Sequence, residues 1–160
     1  MDINKSVEYI VKTLEGKKMT LSAAESCTGG MVSSVIVDYA GASAVFMDGI
    51  VSYSNEAKMK FLGVSPQTLE KYGAVSAQTA EEMCRGVSRE SKTDIGISTT
   101  GVAGPGGGTP QKPVGTVYIG ICINGRVKTK LLELKGSRTE IRQQTTQILL
   151  NDLIEEIDKL

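Results

Sequence analysis

The stretch "TVYIGICINGRVKTKLLEL", residues 116–134, consists of two β-rich runs meeting at Asn124-Gly125. Asn-Gly between runs of this kind is the strongest short-range signal for a hairpin, because both central residues must take positive φ. Residues 116–123 and 126–134 are therefore expected to be antiparallel strands. Upstream, the pattern alternates. A helical stripe at Ile3, Val7, Ile10, Val11 and Leu14 closes at Gly16. Residues 19–25 read as a strand, 29–39 as a helix and 45–53 as a second strand. Ser54 opens a short helix ending at Gly63, Ser65-Pro66 another that stops at Gly73, and Ser76 a longer one to about residue 91. Residues 94–100 form a buried-looking strand. After the hairpin, Ser137-x-x-Glu140 is a capping box starting a final helix. Alternating strands and helices build parallel pairs, and the hairpin adds an antiparallel one. The expected fold is an α/β three-layer sandwich with a mixed parallel/antiparallel sheet.

Composition narrows the chemistry. With 160 residues and 40% hydrophobic content the chain reads as one domain, residues 1–160; a chain of this size buries roughly 70% of its unfolded surface. Lys plus Arg (18) balance Asp plus Glu (18), so no field favours nucleic acid or an acidic membrane. Five Tyr, two Phe and no Trp leave little to stack bases on. There is no histidine, which excludes Ser-His-Asp and Cys-His machinery and any His-ligated metal. Cys27, Cys84 and Cys122 are scattered and form no CxxC pair, against a zinc site and in favour of a reducing, cytoplasmic setting. "MDINKSVEYI" reads as an amphipathic helix rather than a signal peptide, and no run is long enough to span a membrane. Any chemistry is expected to need no metal or cofactor, and to run on lysine, tyrosine, arginine, carboxylates and hydroxyls.

Three segments carry such groups. "SAAESCTGG", 22–30, places Ser26, Cys27 and Thr28 at a strand-to-helix turn, where α/β folds gather ligands and free helix amides can steady an oxyanion. The competing and commoner use is capping, with Ser26 or Thr28 as the helix cap and Cys27 a small buried hydrophobe. In "VSYSNEAKMKFLG", 51–63, a cap at Ser54 puts Tyr53 and Lys58 at the two positions that meet in a hydrophobic staple. That would join a hydroxyl to an amine at a helix start, where the dipole and burial both favour the neutral amine. The alternative is a surface lysine lying across the tyrosine ring. "TTGVAGPGGGTPQKPVG", 99–115, matches neither nucleotide fingerprint, but its unencumbered amides make either an anion cradle or a flexible loop. Arg138 and Arg142, one helical turn apart, are a cationic clamp or a solvated face.

Taken together, "AESCTGG" (24–30), "GIVSYSNEAKMKFLGV" (49–64), "YGAVSAQTAEEM" (72–83), "DIGISTTGVAGPGGGTPQKPVGTVYIG" (94–120) and "RTEIRQQT" (138–145) resemble the CinA family's C-terminal domain. They cover nearly the whole chain in the family's order. Ser137 departs from the acidic residue expected before the arginine, but serine and aspartate both cap helices. Many relatives carry a larger N-terminal nucleotide-binding domain. Here the sequence starts directly with the amidase segment, so a stand-alone form is expected and that domain's chemistry is not carried over.

The resemblance implies hydrolysis of nicotinamide mononucleotide to nicotinate mononucleotide and ammonia. It implies Ser26 as nucleophile, assisted by Tyr53 and Lys58. Glu25, Thr28, Gly29 and Gly30 are expected around the substrate, the last three near the oxyanion and Glu25 in support. Thr100, Gly101, Ala103, Gly104 and Gly106, with Arg138 and Arg142, are expected to hold the nucleotide and its 5′-phosphate. A small nucleotide is then the partner, with a homodimer as the expected assembly. Two other readings stand beside this one: a nucleotide-sensing module of a competence or damage response without turnover, and a purely structural interaction domain.

Overall fold

The computed structural model describes residues 2–160. Its elements are α1 (Ile3–Lys17), β1 (Leu21–Glu25), α2 (Met31–Val37), a 3-10 turn at Ala42–Ala44, β2 (Phe46–Val51), α3 (Asn55–Leu62), α4 (Pro66–Tyr72), α5 (Ala77–Ser91), β3 (Ile95–Gly101), β4 (Thr116–Ile123), β5 (Arg126–Glu133) and α6 (Arg138–Ile157). One five-stranded sheet runs in the order β2-β1-β3-β4-β5. β1 pairs in parallel with β2 and β3, whereas β3–β4 and β4–β5 are antiparallel. Helices α1, α2 and α6 pack together on one face, and α3, α4 and α5 on the other. This is the expected three-layer sandwich with a mixed sheet.

Local chemistry sets the element ends. Asn124 (φ 49°) and Gly125 (φ 81°) both take the left-handed conformation, so the hairpin turns where its sequence demands. Ser54, Ser65, Ser76 and Ser137 each accept a backbone N–H as a cap, and Ser137 with Glu140 closes the capping box. The helix expected from residue 29 begins two residues later, because Gly29 (φ 57°) and Gly30 (φ 98°) are left-handed and cannot belong to it. The expected strands at 19–25 and 45–53 are shortened to β1 and β2.

The larger core lies between the sheet and the α1/α2/α6 layer, with Leu14, Leu21, Ile36, Ile97, Ile119 and Leu149 almost fully buried. On the other face α5 presses so close to the sheet that a Cβ on Gly96 would collide with the carbonyl of Cys84. No helix among the described residues is long and apolar enough to cross a membrane.

Strand direction positions the site. β1, β2 and β3 are parallel, so their carboxyl ends share one edge of the sheet. Two antiparallel reversals make β5 run the same way as β3, which brings the start of α6 to that edge as well. The elbow after β1, the Tyr53 segment after β2, the glycine loop after β3 and Arg138 thus converge.

Candidate active site

The elbow begins where β1 ends. Ser26 extends the ladder by one bond, donating its N–H to the carbonyl of Thr99 at 3.0 Å. Residues 26–29 then form a tight turn closed by the Gly29 N–H donating to the Ser26 carbonyl at 3.1 Å. Neither Ser26 nor Thr28 caps α2. The cap is Glu25, 1% exposed, whose carboxylate accepts the N–H groups of Gly30, Val32 and Ser33 and the hydroxyls of Thr28 and Ser33. A carboxylate suits the positive end of a helix, and here it leaves the Ser26 hydroxyl free of structural duty.

This arrangement corrects several expected substrate contacts. Glu25, expected in support of the site, is buried and holds the start of α2 rather than reaching the substrate. The Thr28 hydroxyl is spent on Glu25 at 2.6 Å and on Thr99 at 2.7 Å. The N–H groups of Gly29 and Gly30 are bound to Ser26 and Glu25, so neither can serve an oxyanion. Between residues 26 and 33, only the N–H groups of Cys27 and Thr28 have no protein acceptor.

Lys58 is the largest fully buried side chain, at 1% exposure. The Ser54 hydroxyl, accepting from Ala57 N–H at 3.0 Å, fixes the start of α3, and Lys58 projects from its first turn toward the elbow. Its Nζ lies 3.0 Å from Ser26 Oγ, 2.9 Å from the Ser52 carbonyl and 3.4 Å from that of Tyr53. Among the described residues no carboxylate pairs with it. Burial therefore holds its pKa below the ordinary lysine value. The staple expected between the Tyr53 hydroxyl and the Lys58 amine does not form. Tyr53 meets Lys58 through its carbonyl, while the residue is 63% exposed and its hydroxyl accepts from Arg138 Nη2 at 3.0 Å.

The cleft around Ser26 and Lys58 has a volume of about 190 Å³. Tyr53, Arg138, Thr100, Gly101 and Ala103, all expected from the sequence, line it. Arg138 also donates to the Gly104 carbonyl at 2.8 Å, tying α6 to the glycine loop. In that loop the N–H groups of Ala103, Gly104, Gly106, Gly107 and Gly108 have no protein acceptor. Gly106 is exposed and does not line the cleft. Arg142 is a correction: it turns away from the cleft and donates to the carbonyls of Cys27 at 3.1 Å and Thr28 at 2.6 Å. Cys27 lines the cleft but is 6% exposed, and burial pushes its thiol up to about 11, so it stays protonated near neutral pH.

Three wall residues were not foreseen: Asn55, Ala74 and Val75. Asn55 stands one helical turn before Lys58, a spacing that could have flagged it. Ala74 is placed by its carbonyl, which accepts the Thr100 hydroxyl at 2.7 Å, a contact between distant segments with no local signal.

A family described as the CinA C-terminal domain matches residues 3–157. A CinA-like protein of Kosmotoga olearia is 54% identical over 144 residues, covering 90% of this chain and 35% of that protein. A Clostridium perfringens relative is also 54% identical, over 153 residues, and the chain spans only 37% of its length. The chain thus matches little more than a third of these curated relatives. Among solved structures, the competence/damage inducible protein CihA of Agrobacterium tumefaciens superposes with a TM-score of 0.94 at 39% identity, covering 97% of this chain and 95% of that one. The competence damage-inducible protein ComA of Klebsiella pneumoniae gives 0.96 at 30% identity, covering 99% and 98%. In sequence over nearly its whole length and in fold, this chain belongs to the CinA C-terminal domain family.

Proposed function

We propose that this protein is a Ser–Lys amidohydrolase that converts nicotinamide mononucleotide to nicotinate mononucleotide and ammonia. One observation carries the reading: a buried lysine without a carboxylate partner, its amine 3.0 Å from the hydroxyl of a serine that no structural role uses. When the amine is neutral, its two N–H bonds suit the carbonyls of Ser52 and Tyr53, and its lone pair is left for the Ser26 proton.

Ser26 Oγ then attacks the carboxamide carbon as Lys58 takes the hydroxyl proton. The uncommitted N–H groups of Cys27 and Thr28 are the donors for the resulting oxyanion. The Lys58 ammonium returns the proton to the nitrogen as the C–N bond breaks and ammonia leaves. Water attacks the acyl-Ser26 ester, giving its proton to Lys58, and Ser26 departs with that proton restored. The cleft is smaller than the ~300–1,000 Å³ common for drug-sized ligands. The carboxamide end enters it, while the 5′-phosphate lies toward Arg138 and the free amides of the glycine loop. Tyr53, held by Arg138, orients the substrate between them.

The test is ammonia release from nicotinamide mononucleotide by the purified protein, with and without a chelator. Chelator-insensitive release that disappears in Ser26→Ala supports the reading. The solved relatives are named competence/damage inducible proteins, and beside them stands a second reading, a nucleotide-sensing module without turnover. Nucleotide binding with no ammonia released by the wild type would establish that one instead.

A further inference from the structure

We propose that Arg142 is a positioning residue for amide cleavage, acting through the backbone of the elbow rather than on the substrate. The inference rests on the amidase reading above. Arg142 Nε and Nη2 donate to the carbonyls of Cys27 and Thr28, the two central residues of the turn closed by Gly29 N–H and Ser26 carbonyl.

Each of those carbonyls shares a peptide unit with an N–H. The Cys27 carbonyl belongs to the unit carrying the Thr28 N–H, one of the two uncommitted donors in the elbow. The Thr28 carbonyl belongs to the unit carrying the Gly29 N–H, which closes the turn on Ser26. A charged donor on a carbonyl draws electron density through the amide and makes its N–H a better donor; such cooperative strengthening is about 10–30% per bond. Arg142 thus strengthens a donor offered to the oxyanion and the bond that holds the nucleophile's own turn. From the other side, the Glu25 carboxylate takes the N–H groups of Gly30, Val32 and Ser33. The elbow is held between an anion that collects its surplus N–H groups and a cation that collects its carbonyls. Arg142 can do this rigidly because its neighbours Ile141 and Thr145 on α6 are buried at 1% and 0% exposure.

The experiment compares Arg142→Ala, Arg142→Gln and Arg142→Lys in the full chain. Three quantities are read: kcat and KM for ammonia release from nicotinamide mononucleotide, the rate at which a fluorophosphonate labels Ser26, and Tm. Glutamine keeps N–H donors without charge, whereas lysine keeps the charge. Arg142→Ala and Arg142→Gln should lose roughly 10- to 100-fold in kcat, less than the ~10²–10³ that deleting an oxyanion donor costs. KM should hold, labelling should slow in parallel, and Arg142→Lys should recover most of the rate. Added guanidinium salt should partly rescue Arg142→Ala.

If Arg142→Gln keeps wild-type kcat, or if Gln and Lys lose rate equally in step with Tm, Arg142 is only a tie between α6 and the elbow. A change confined to KM also overturns the proposal. Should Arg142→Ala fail to fold, the Gln and Lys pair still decides. A wild type that labels but releases no ammonia refutes the substrate, not Arg142, whose role the labelling rates then test. A wild type inert to the probe overturns both readings.

Discussion

Replacing Lys58 by methionine removes one amine and little volume, which makes it the sharpest probe of the site. In the native protein that amine sits 3.0 Å from Ser26 Oγ and is held by two backbone carbonyls. It is the side chain hydrogen-bonded to the Ser26 hydroxyl, with no histidine anywhere in the chain to replace it. A positioned general base contributes about 10²–10⁴-fold, or roughly 3–5 kcal/mol of barrier. The loss should fall on kcat, because the amine moves a proton rather than gripping the ground state. Ammonia release is measured from about pH 6 to about pH 10, a window ending near the ordinary lysine pKa. Burial depresses the Lys58 pKa, so the wild-type rate should climb through that lowered value and then level. Stability carries the same signature with a definite sign. Below its folded pKa the wild type bears a buried ammonium, while the unfolded chain keeps its proton up to the ordinary value of 10.5. Between the two values the unfolded state binds more protons, so wild-type stability rises with pH. Any advantage of Lys58→Met in chemical denaturation should therefore shrink as pH rises across that window. A Lys58→Met protein with near-native kcat and an unchanged pH–rate profile would refute lysine as the base.

Ser26→Ala should abolish turnover yet still bind the mononucleotide by calorimetry, whereas Cys27→Ala should keep most activity, since its thiol is protonated up to about pH 11. Loss with the cysteine change and survival with the serine change would make Cys27, not Ser26, the nucleophile. Arg138→Ala should raise KM for the mononucleotide selectively, since each charge-assisted phosphate contact is worth about 1.5–3 kcal/mol. The dephosphorylated nucleoside, already a poor substrate, should barely change, and equal losses on both would place the phosphate elsewhere. Glu25→Gln puts an NH2 group against converging N–H donors and should cost roughly 3 kcal/mol in urea unfolding. A stability loss below about 0.5 kcal/mol would show that the α2 cap does not depend on the charge.

What the sequence disclosed was local. The hairpin at Asn124-Gly125, the serine caps and the pairing of an early strand with glycine-rich turns are written within a few residues of where they act. The residues alone left Ser26 open as a cap and Lys58 as a surface lysine; the family resemblance singled them out, and the fold brings their side chains to 3.0 Å. Tyr53 was misjudged because a staple position constrains the chain's entry angle and not the ring, which swings out to Arg138. Arg138 and Arg142 share one face of α6, about 6 Å apart along its axis. That spacing says they travel together, but only the packed structure puts one over the cleft and the other over the elbow. Glu25 was expected in support of the site, but its role as the cap of α2 was not legible. It caps α2 from a strand end, reaching N–H groups five to eight residues ahead, beyond any capping pattern a sequence displays.

The bond from Ser26 N–H to the Thr99 carbonyl joins residues 73 positions apart. β1 and β3, whose pairing makes that bond, enclose one strand, β2, and four α-helices, α2 to α5, of intervening chain. The hairpin β4–β5 closes over two residues. Loop-closure entropy separates these events in time, the short closure forming early and the long one late. A refolding molecule thus gains most of its secondary structure before Ser26 reaches its place beside Lys58. Recovery of activity should trail recovery of circular dichroism, and a chain arrested before β1 meets β3 would be structured and inert.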